Sequence, residues 1–220
     1  MDRASVLKTC ESELFSAVIS DTLDGLGHRT QVVQLPLQPL QDGMRIVGFA
    51  RIGVYMPIYH DDATMNVYEH EIRLVDDLKP GEVPVLCCHG STRIAPWGEL
   101  LSTRASYLKA AGCITDGSVR DAAVIRRMGF PVYSGGRNPV DTKFRGKMMM
   151  MDVPAEIGGV QVNSGDLVVA DLDGIVFVPA ALIEPVLAKA LEKVRAESTV
   201  RAELRGGASL VEVFDRHGIL

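Results

Sequence analysis

The chain has 220 residues, enough to bury a sizeable core as one domain, with 47% hydrophobic and 23% charged residues, the balance of a globular protein. Its net charge of −5 argues against a nucleic-acid-binding surface, and no run approaches the ~20 apolar residues of a membrane span. The four cysteines (Cys10, Cys87, Cys88, Cys113) show no CxxC pairing, and the start Met-Asp-Arg-Ala-Ser lacks a signal peptide's apolar core, so a cytoplasmic protein with reduced, buried thiols is expected.

Ser12 to Leu26 reads as a helix, with Leu14, Phe15, Val18, Leu23 and Leu26 at helical spacing and Gly25 and Gly27 at its end. Pro36 and Pro39 carry an extended connection to a strand from Met44 to Tyr55. Asp61 to Leu78 predicts a helix closed by Lys79-Pro80-Gly81, and Val83 to Cys88 a short buried strand. Trp97 to Ala111 is the clearest helix, with Trp97, Leu100, Leu101, Ala105 and Leu108 on one face. A strand from Cys113 to Thr115, an Asp116-Gly117 turn and a helix from about Val119 to Met128 follow, and Phe130 to Tyr133 opens another strand.

Gly135 to Gly146 reads as a loop long enough to line a site. Ile157-Gly158-Gly159-Val160 and Val162 to Asp166 are hairpin signals, and Leu167–Asp171 and Ile175–Val178 are strands parted by Asp173-Gly174. Ala180 to Arg205 is helical up to Gly206-Gly207, and Ser209 to Arg216 is a short terminal helix. The order predicts one mixed α/β domain over residues 1–220 with helices outside the sheets.

Chemistry concentrates at two predicted helix starts. Trp97-Gly98-Glu99-Leu100 opens one helix and Arg120-Asp121 the next, and helix starts offer unpaired N–H groups to a carboxylate. Asp121 supplies a hard oxygen suited to Mg²⁺ or Mn²⁺, which takes only one or two protein carboxylates. Arg120 is a permanent cation for a carboxylate or oxyanion. Glu99 could accept from water at the metal or orient Arg120. Together they would stabilise the enolate of a 2-oxo acid. The plainer alternatives stay open: Asp121 as a helix cap, Arg120 solvated, and Glu99 as a first-turn acid favoured by the helix dipole.

Other candidates are weaker. His60-Asp61-Asp62 and His70-Glu71 lack the HExxH pattern, since position 74 is Leu74, and His89-Gly90-Ser91 has no GxSxG around it. Met148 to Met151 suits a partly buried strand or a subunit contact, and Gly135-Gly136-Arg137 suits a turn. Arg137, Lys143 and Arg145 could meet a substrate's distal carboxylate.

Trp-Gly-Glu-Leu at 97–100, Asp-Gly-Ser-Val-Arg-Asp at 116–121 and Gly-Phe-Pro-Val-Tyr at 129–133 resemble the RraA-like family, as does Gly165 to Asp171 with Asp173-Gly174-Ile175 after it. The likeness runs from about Asp21 to the carboxyl terminus. The family includes class II 4-hydroxy-4-methyl-2-oxoglutarate/4-carboxy-4-hydroxy-2-oxoadipate aldolases, in which an acid precedes an Arg-Asp pair by 21 positions, a spacing kept by Glu99, Arg120 and Asp121. The resemblance implies a single-domain layered α/β/β/α sandwich resembling the phosphohistidine swivelling domain. It implies Asp121 on Mg²⁺ or Mn²⁺, Arg120 on the pyruvate portion and its enolate, and Gly98 and the Leu100 amide at the substrate carboxylate. The family more often has Asp where Glu99 stands.

It also implies a homotrimer or homohexamer, with residues 180–220 at a subunit contact and Glu197 lent to a neighbour's metal site. The alternative for Glu197 is an ion pair with Arg201 four residues on. The expected reaction is cleavage of a 4-hydroxy-2-oxo acid to pyruvate and a second oxo acid, with oxaloacetate decarboxylation as a side activity. No histidine in the motif is placed as a base, so the C4 hydroxyl proton is expected to leave through water at the metal. The family also includes a non-catalytic inhibitor that binds a ribonuclease. Inhibitory members lack the Arg-Asp pair, so its presence favours the enzyme.

Overall fold

The computed structural model describes residues 1–60 and 64–219. Helices α1 (Arg3–Glu13) and α2 (Ser16–Gly25) precede a short β1 (Gln38–Pro39) and a long β2 (Ile46–Pro57). Three strand–helix alternations follow: α3 (Glu69–Asp76), β3 (Glu82–Cys87), α4 (Glu99–Tyr107), β4 (Cys113–Val119), α5 (Ala122–Met128) and β5 (Val132–Arg137). Then come β6 (Gly146–Met151), β7 (Ala155–Ile157), β8 (Val160–Val162), β9 (Leu167–Asp171) and β10 (Gly174–Val178). A 3₁₀ turn (Ala180–Leu182), α6 (Ile183–Arg205) and α7 (Leu210–His217) complete the chain.

The sheet order is β1-β5-β4-β3-β2-β9-β10, with β2 to β5 parallel and β9 and β10 antiparallel. β2 is buried on both faces and serves two neighbourhoods: its first residues pair with β9 and its last with β6. Side-chain alternation along the strands sorts the core into layers. Val168, Ala170, Ile175 and Phe177 point to an inner cluster shared with Ile52, Val85 and Ile114, while Leu167, Val169, Val176 and Val178 face α1, α2 and α6. Leu86, Cys113 and Val132 turn the other way, toward α3, α4 and α5. The result is the expected α/β/β/α sandwich, each buried aliphatic side chain contributing about 1.5–3 kcal/mol.

Several local expectations change. The helix read from Ser12 to Leu26 is two helices, because Leu14 is extended and its carbonyl, with that of Cys10, accepts from the Arg45 guanidinium. The helix read from Asp61 begins at Glu69; residues 61–63 lie outside the described part. The Asp116-Gly117 pair is not a turn: β4 runs on to Val119, and Gly117 is needed there because a Cβ would stand 2.9 Å from both Cys88 Sγ and the Ile94 carbonyl. Gly135 to Arg137 likewise belong to β5, leaving 138–145 as the loop.

Gly158-Gly159 does turn the β7–β8 hairpin, but residues 163–166 join β8 to a strand of the other sheet. Met148 is buried in β6 whereas Met149 and Met150 are exposed. All four cysteines are free and buried, and burial pushes the Cys10 thiol up to about 11. No helix among the described residues is long and apolar enough to cross a membrane.

Candidate active site

The segment before α4 lies alongside the end of β4. Ser118 N–H donates to the Ile94 carbonyl (2.8 Å), Arg120 N–H to the Trp97 carbonyl (3.0 Å), and Trp97 bridges Val119. Trp97 anchors this junction: its ring is buried against Phe130 and its Nε1–H donates to Ser102 Oγ (2.8 Å). Gly98, the N-cap of α4, then passes under the Arg-Asp pair. A Cβ there would stand 2.9 Å from Asp121 Oδ2 and 3.0 Å from Arg120 Cγ, so any side chain would displace the pair.

Asp121 occupies the N-cap position of α5 at φ 56°, ψ 27°, yet its side chain makes no capping bond to that helix. A non-glycine residue in this left-handed region costs about 1–2 kcal/mol, strain that clusters at functional sites. Its Oδ2 instead receives the Glu99 amide of α4 (3.2 Å) and stands 3.7 Å from Arg120 Nε. The side chain is 45% exposed. Among the described residues no group of three or more His, Cys, Asp or Glu forms a metal cage. A lone, half-exposed, uncapped carboxylate fits a hydrated Mg²⁺ or Mn²⁺ ion rather than a fully protein-ligated one.

Arg120 projects into a cleft of about 310 Å³ lined also by Glu71, Trp97, Gly98, Glu99, Leu100 and Asp141. Its Nη1 lies 3.3 Å from Asp141 Oδ2, which also accepts from the Tyr68 hydroxyl (2.8 Å). Burial opposes the charged form of Asp141, but the Tyr68 hydroxyl, the Lys143 amide and Arg120 together hold its carboxyl below the usual range. Burial and Asp141 push Tyr68 up to about 12.

Gly98, Glu99, Leu100, Arg120 and Asp121 are therefore brought together. Glu99 does not orient Arg120: its carboxylate leans on Thr103 Oγ1 (3.4 Å), and Asp141 takes that role. Glu197 lies on α6, in the opposite helix layer, 3.9 Å from Lys193 and 3.8 Å from Arg201, so within one chain it does not reach the cleft. The 138–145 loop lines the cleft through Asp141 and Thr142; its Lys143 and Arg145, and Arg137 at the end of β5, are not among the lining residues. Arg145 donates to the carbonyls of Asp141 and Lys143, and Arg93 to those of Ile58, Phe144 and Arg145, which fixes the loop. Of the weaker histidines, His70 Nδ1 lies 2.9 Å from the Met148 carbonyl and His60 is exposed.

Nothing in the sequence pattern marked Tyr68 or Asp141, and Glu71 stood out only beside His70 as a weak metal candidate. Glu71 had a further signal: it shares the helical face of Leu74, Val75 and Leu78, an acid on a core stripe. Its residue is 8% exposed, and its Oε2 accepts from the buried Tyr55 hydroxyl (2.7 Å).

A family model described as RraA-like, Aldolase/RraA, matches residues 16–177. A protein of Halalkalibacterium halodurans provisionally named 4-hydroxy-4-methyl-2-oxoglutarate aldolase is 31% identical over 179 residues, 80% of this chain and 77% of that one. Protein DlpA of Legionella pneumophila is 28% identical over 89% of this chain, which spans 31% of DlpA's length. A Pseudomonas syringae protein of solved structure superposes with a TM-score of 0.83 at 27% identity, covering 96% of both chains. Streptomyces coelicolor RraAS2, described as an unusual member of the RNase ES inhibitor RraA family, gives a TM-score of 0.80 at 27% identity, over 91% of this chain and 98% of that one.

Proposed function

This chain belongs to the RraA-like family, and from that premise we propose that it is a divalent-metal-dependent lyase that cleaves a 4-hydroxy-2-oxo acid of the 4-hydroxy-4-methyl-2-oxoglutarate type to pyruvate and a second oxo acid. The observation that carries this reading is the uncapped Asp121 carboxylate beside the Arg120 guanidinium at the cleft. Mg²⁺ or Mn²⁺ held by Asp121 would supply Lewis-acid polarisation of the 2-oxo group.

The chain's own groups do the rest. The first turn of α4, where Gly98 lets the backbone pass close to Arg120 and the Leu100 amide is one of the N–H groups without an intrahelical partner, receives the substrate carboxylate. Arg120, held from behind by Asp141, donates to the 2-oxo oxygen and to the enolate that develops there as the C3–C4 bond breaks. Glu99 stands at the rim with its carboxylate beside Thr103 rather than Arg120, where it would accept from water at the metal. Oxaloacetate loses CO₂ through the same enolate, hence the expected side activity. Buried free thiols suit a reducing, cytoplasmic setting. We place the chain in a homotrimer or homohexamer, with the 180–220 helices at a subunit contact and Glu197 completing a neighbour's site; Leu210, Val211 and Phe214 of α7 are exposed and apolar as that role requires.

The likeness to RraAS2 favours a second reading, a ribonuclease-binding regulator without chemistry of its own. Pyruvate release from 4-hydroxy-4-methyl-2-oxoglutarate and from oxaloacetate, with Mg²⁺ or Mn²⁺ and then with excess chelator, separates the two. Chelator-sensitive pyruvate formation supports the lyase. Silence on both substrates, with inhibition of a ribonuclease, supports the regulator.

A further inference from the structure

The lyase reading needs a group that moves protons, and the cleft contains one beyond the residues already assigned. Glu71 sits on the core face of α3, where Leu74 and Val75 are buried beside it, and yet it lines the same cleft as Arg120. An acid at such a position sacrifices apolar packing and desolvates a carboxyl. Its orientation is fixed from beneath by Tyr55, a fully buried side chain where the β2–β6 register shifts, whose hydroxyl donates to Oε2 at 2.7 Å. The charged and titratable groups that act on it are Tyr55 from β2, Tyr68 from the segment before α3, Cys88 after β3, Arg120 after β4, and Asp141 from the loop.

Burial pushes the Glu71 carboxyl up to about 7; the Tyr55 hydrogen bond and Arg120 oppose that rise and Asp141 adds to it. Asp141 in the same cleft is held in its charged form. Two carboxyls of one cleft are thus driven apart, one fixed as an anion and one able to exchange its proton near neutrality, the pattern that separates an electrostatic residue from an acid–base one.

Resting on the lyase reading above, we propose that Glu71 is the acid–base catalyst of this cleft: its carboxylate takes the C4 hydroxyl proton of the bound oxo acid as the C3–C4 bond breaks, and the resulting acid returns that proton to C3 of the enolate to give pyruvate. The electron pair of the broken bond becomes the C2–C3 double bond of the enolate and then the new C3–H bond, so no oxidant, reductant or further reactant is needed. The same group, run in reverse, removes a methyl proton from bound pyruvate.

The test is exchange of the pyruvate methyl protons in D₂O, followed by NMR across pH with Mg²⁺ present, together with binding of oxalate as a mimic of the enolate. Wild type should bind oxalate and exchange faster as pH rises through about 7. Glu71→Gln should bind oxalate as before and exchange about 10²-fold more slowly or worse. Tyr55→Phe, which removes the hydrogen bond that favours the carboxylate, should move the midpoint of the profile to higher pH while keeping its plateau. Exchange by E71Q within about twofold of wild type, or an unmoved midpoint in Y55F, overturns the assignment. Wild type that binds oxalate but exchanges no proton also overturns it, and leaves the lyase site standing. Wild type that neither binds oxalate nor exchanges overturns the lyase reading, and this assignment with it.

Discussion

Residues 116–121 and 165–175 are both short stretches rich in glycine and aspartate, and their carboxylates stand in opposite circumstances. Asp166 accepts from the Asn163 and Ala180 amides (2.8 and 2.9 Å), and Asp171 from the Ser16 amide and hydroxyl (2.8 and 2.5 Å). Both join distant parts of the chain around the β9–β10 hairpin. In the other stretch Asp116 has the same occupation: it is 3% exposed and accepts from the Cys88 and Gly90 amides. Asp121, five residues on, breaks the pattern, with a strained backbone and a side chain that makes no capping bond to its own helix. A carboxylate whose lone pairs are filled by buried amides is structure; one held open against strain beside a guanidinium is available for chemistry.

That contrast predicts which substitutions harm activity and which harm stability. Asp121→Asn should lower metal-dependent pyruvate formation by about 10³-fold with an unchanged melting temperature, read by coupled assay and calorimetry. Asp166→Ala should do the reverse, removing about 3 kcal/mol of stability in urea unfolding while activity per folded molecule holds. Arg120→Lys keeps the charge but loses the planar fork shared between substrate and Asp141, and turnover should fall by about 10²-fold. If the Asp166 variant is stable but inactive, the division between the two stretches is broken.

Glu71 sharpens the comparison from the other side, as a buried carboxyl kept for function. Its proton affinity is higher in the folded chain than in the unfolded one, rising from 4.5 to about 7. Its stabilising contribution is therefore complete below pH ~4.5 and lost as pH rises through about 7. Glu71→Gln removes that loss, so relative to wild type it should gain of the order of 2 kcal/mol on going from pH 5 to pH 8, measured by denaturant titration. A smaller effect is expected at Glu197, whose surface pairs with Lys193 and Arg201 are worth about 0.5 kcal/mol in total. Glu197→Gln should leave the melting temperature nearly unchanged while lowering activity of the assembled oligomer.

Much of this architecture was legible from local pattern. The alternation in 167–178, with Gly158-Gly159 and Asp173-Gly174 as turn signals, marked β9, β10 and the β7–β8 turn, since period-2 burial is a local property. Trp97-Gly98-Glu99-Leu100 and Arg120-Asp121 were legible as helix starts that meet. Asp116 was misread because its partners, the amides of Cys88 and Gly90, come from another strand's end. Asp141 could not be found because its role depends on Arg93 pinning the loop carbonyls and on Tyr68 reaching across from 73 residues away. The break between α1 and α2 depends on Arg45, more than 30 residues downstream. What escaped was set by long-range hydrogen bonds, which leave no periodicity behind.

Whether Asp121 holds a divalent metal is decided by a Mn²⁺ titration of wild type and Asp121→Asn, followed by electron paramagnetic resonance with oxalate present. Wild type should bind one Mn²⁺ per chain, with a signal that changes when oxalate is added, and the variant should lose that site. Equal Mn²⁺ binding by the two proteins, or none by either, would contradict a metal site at Asp121.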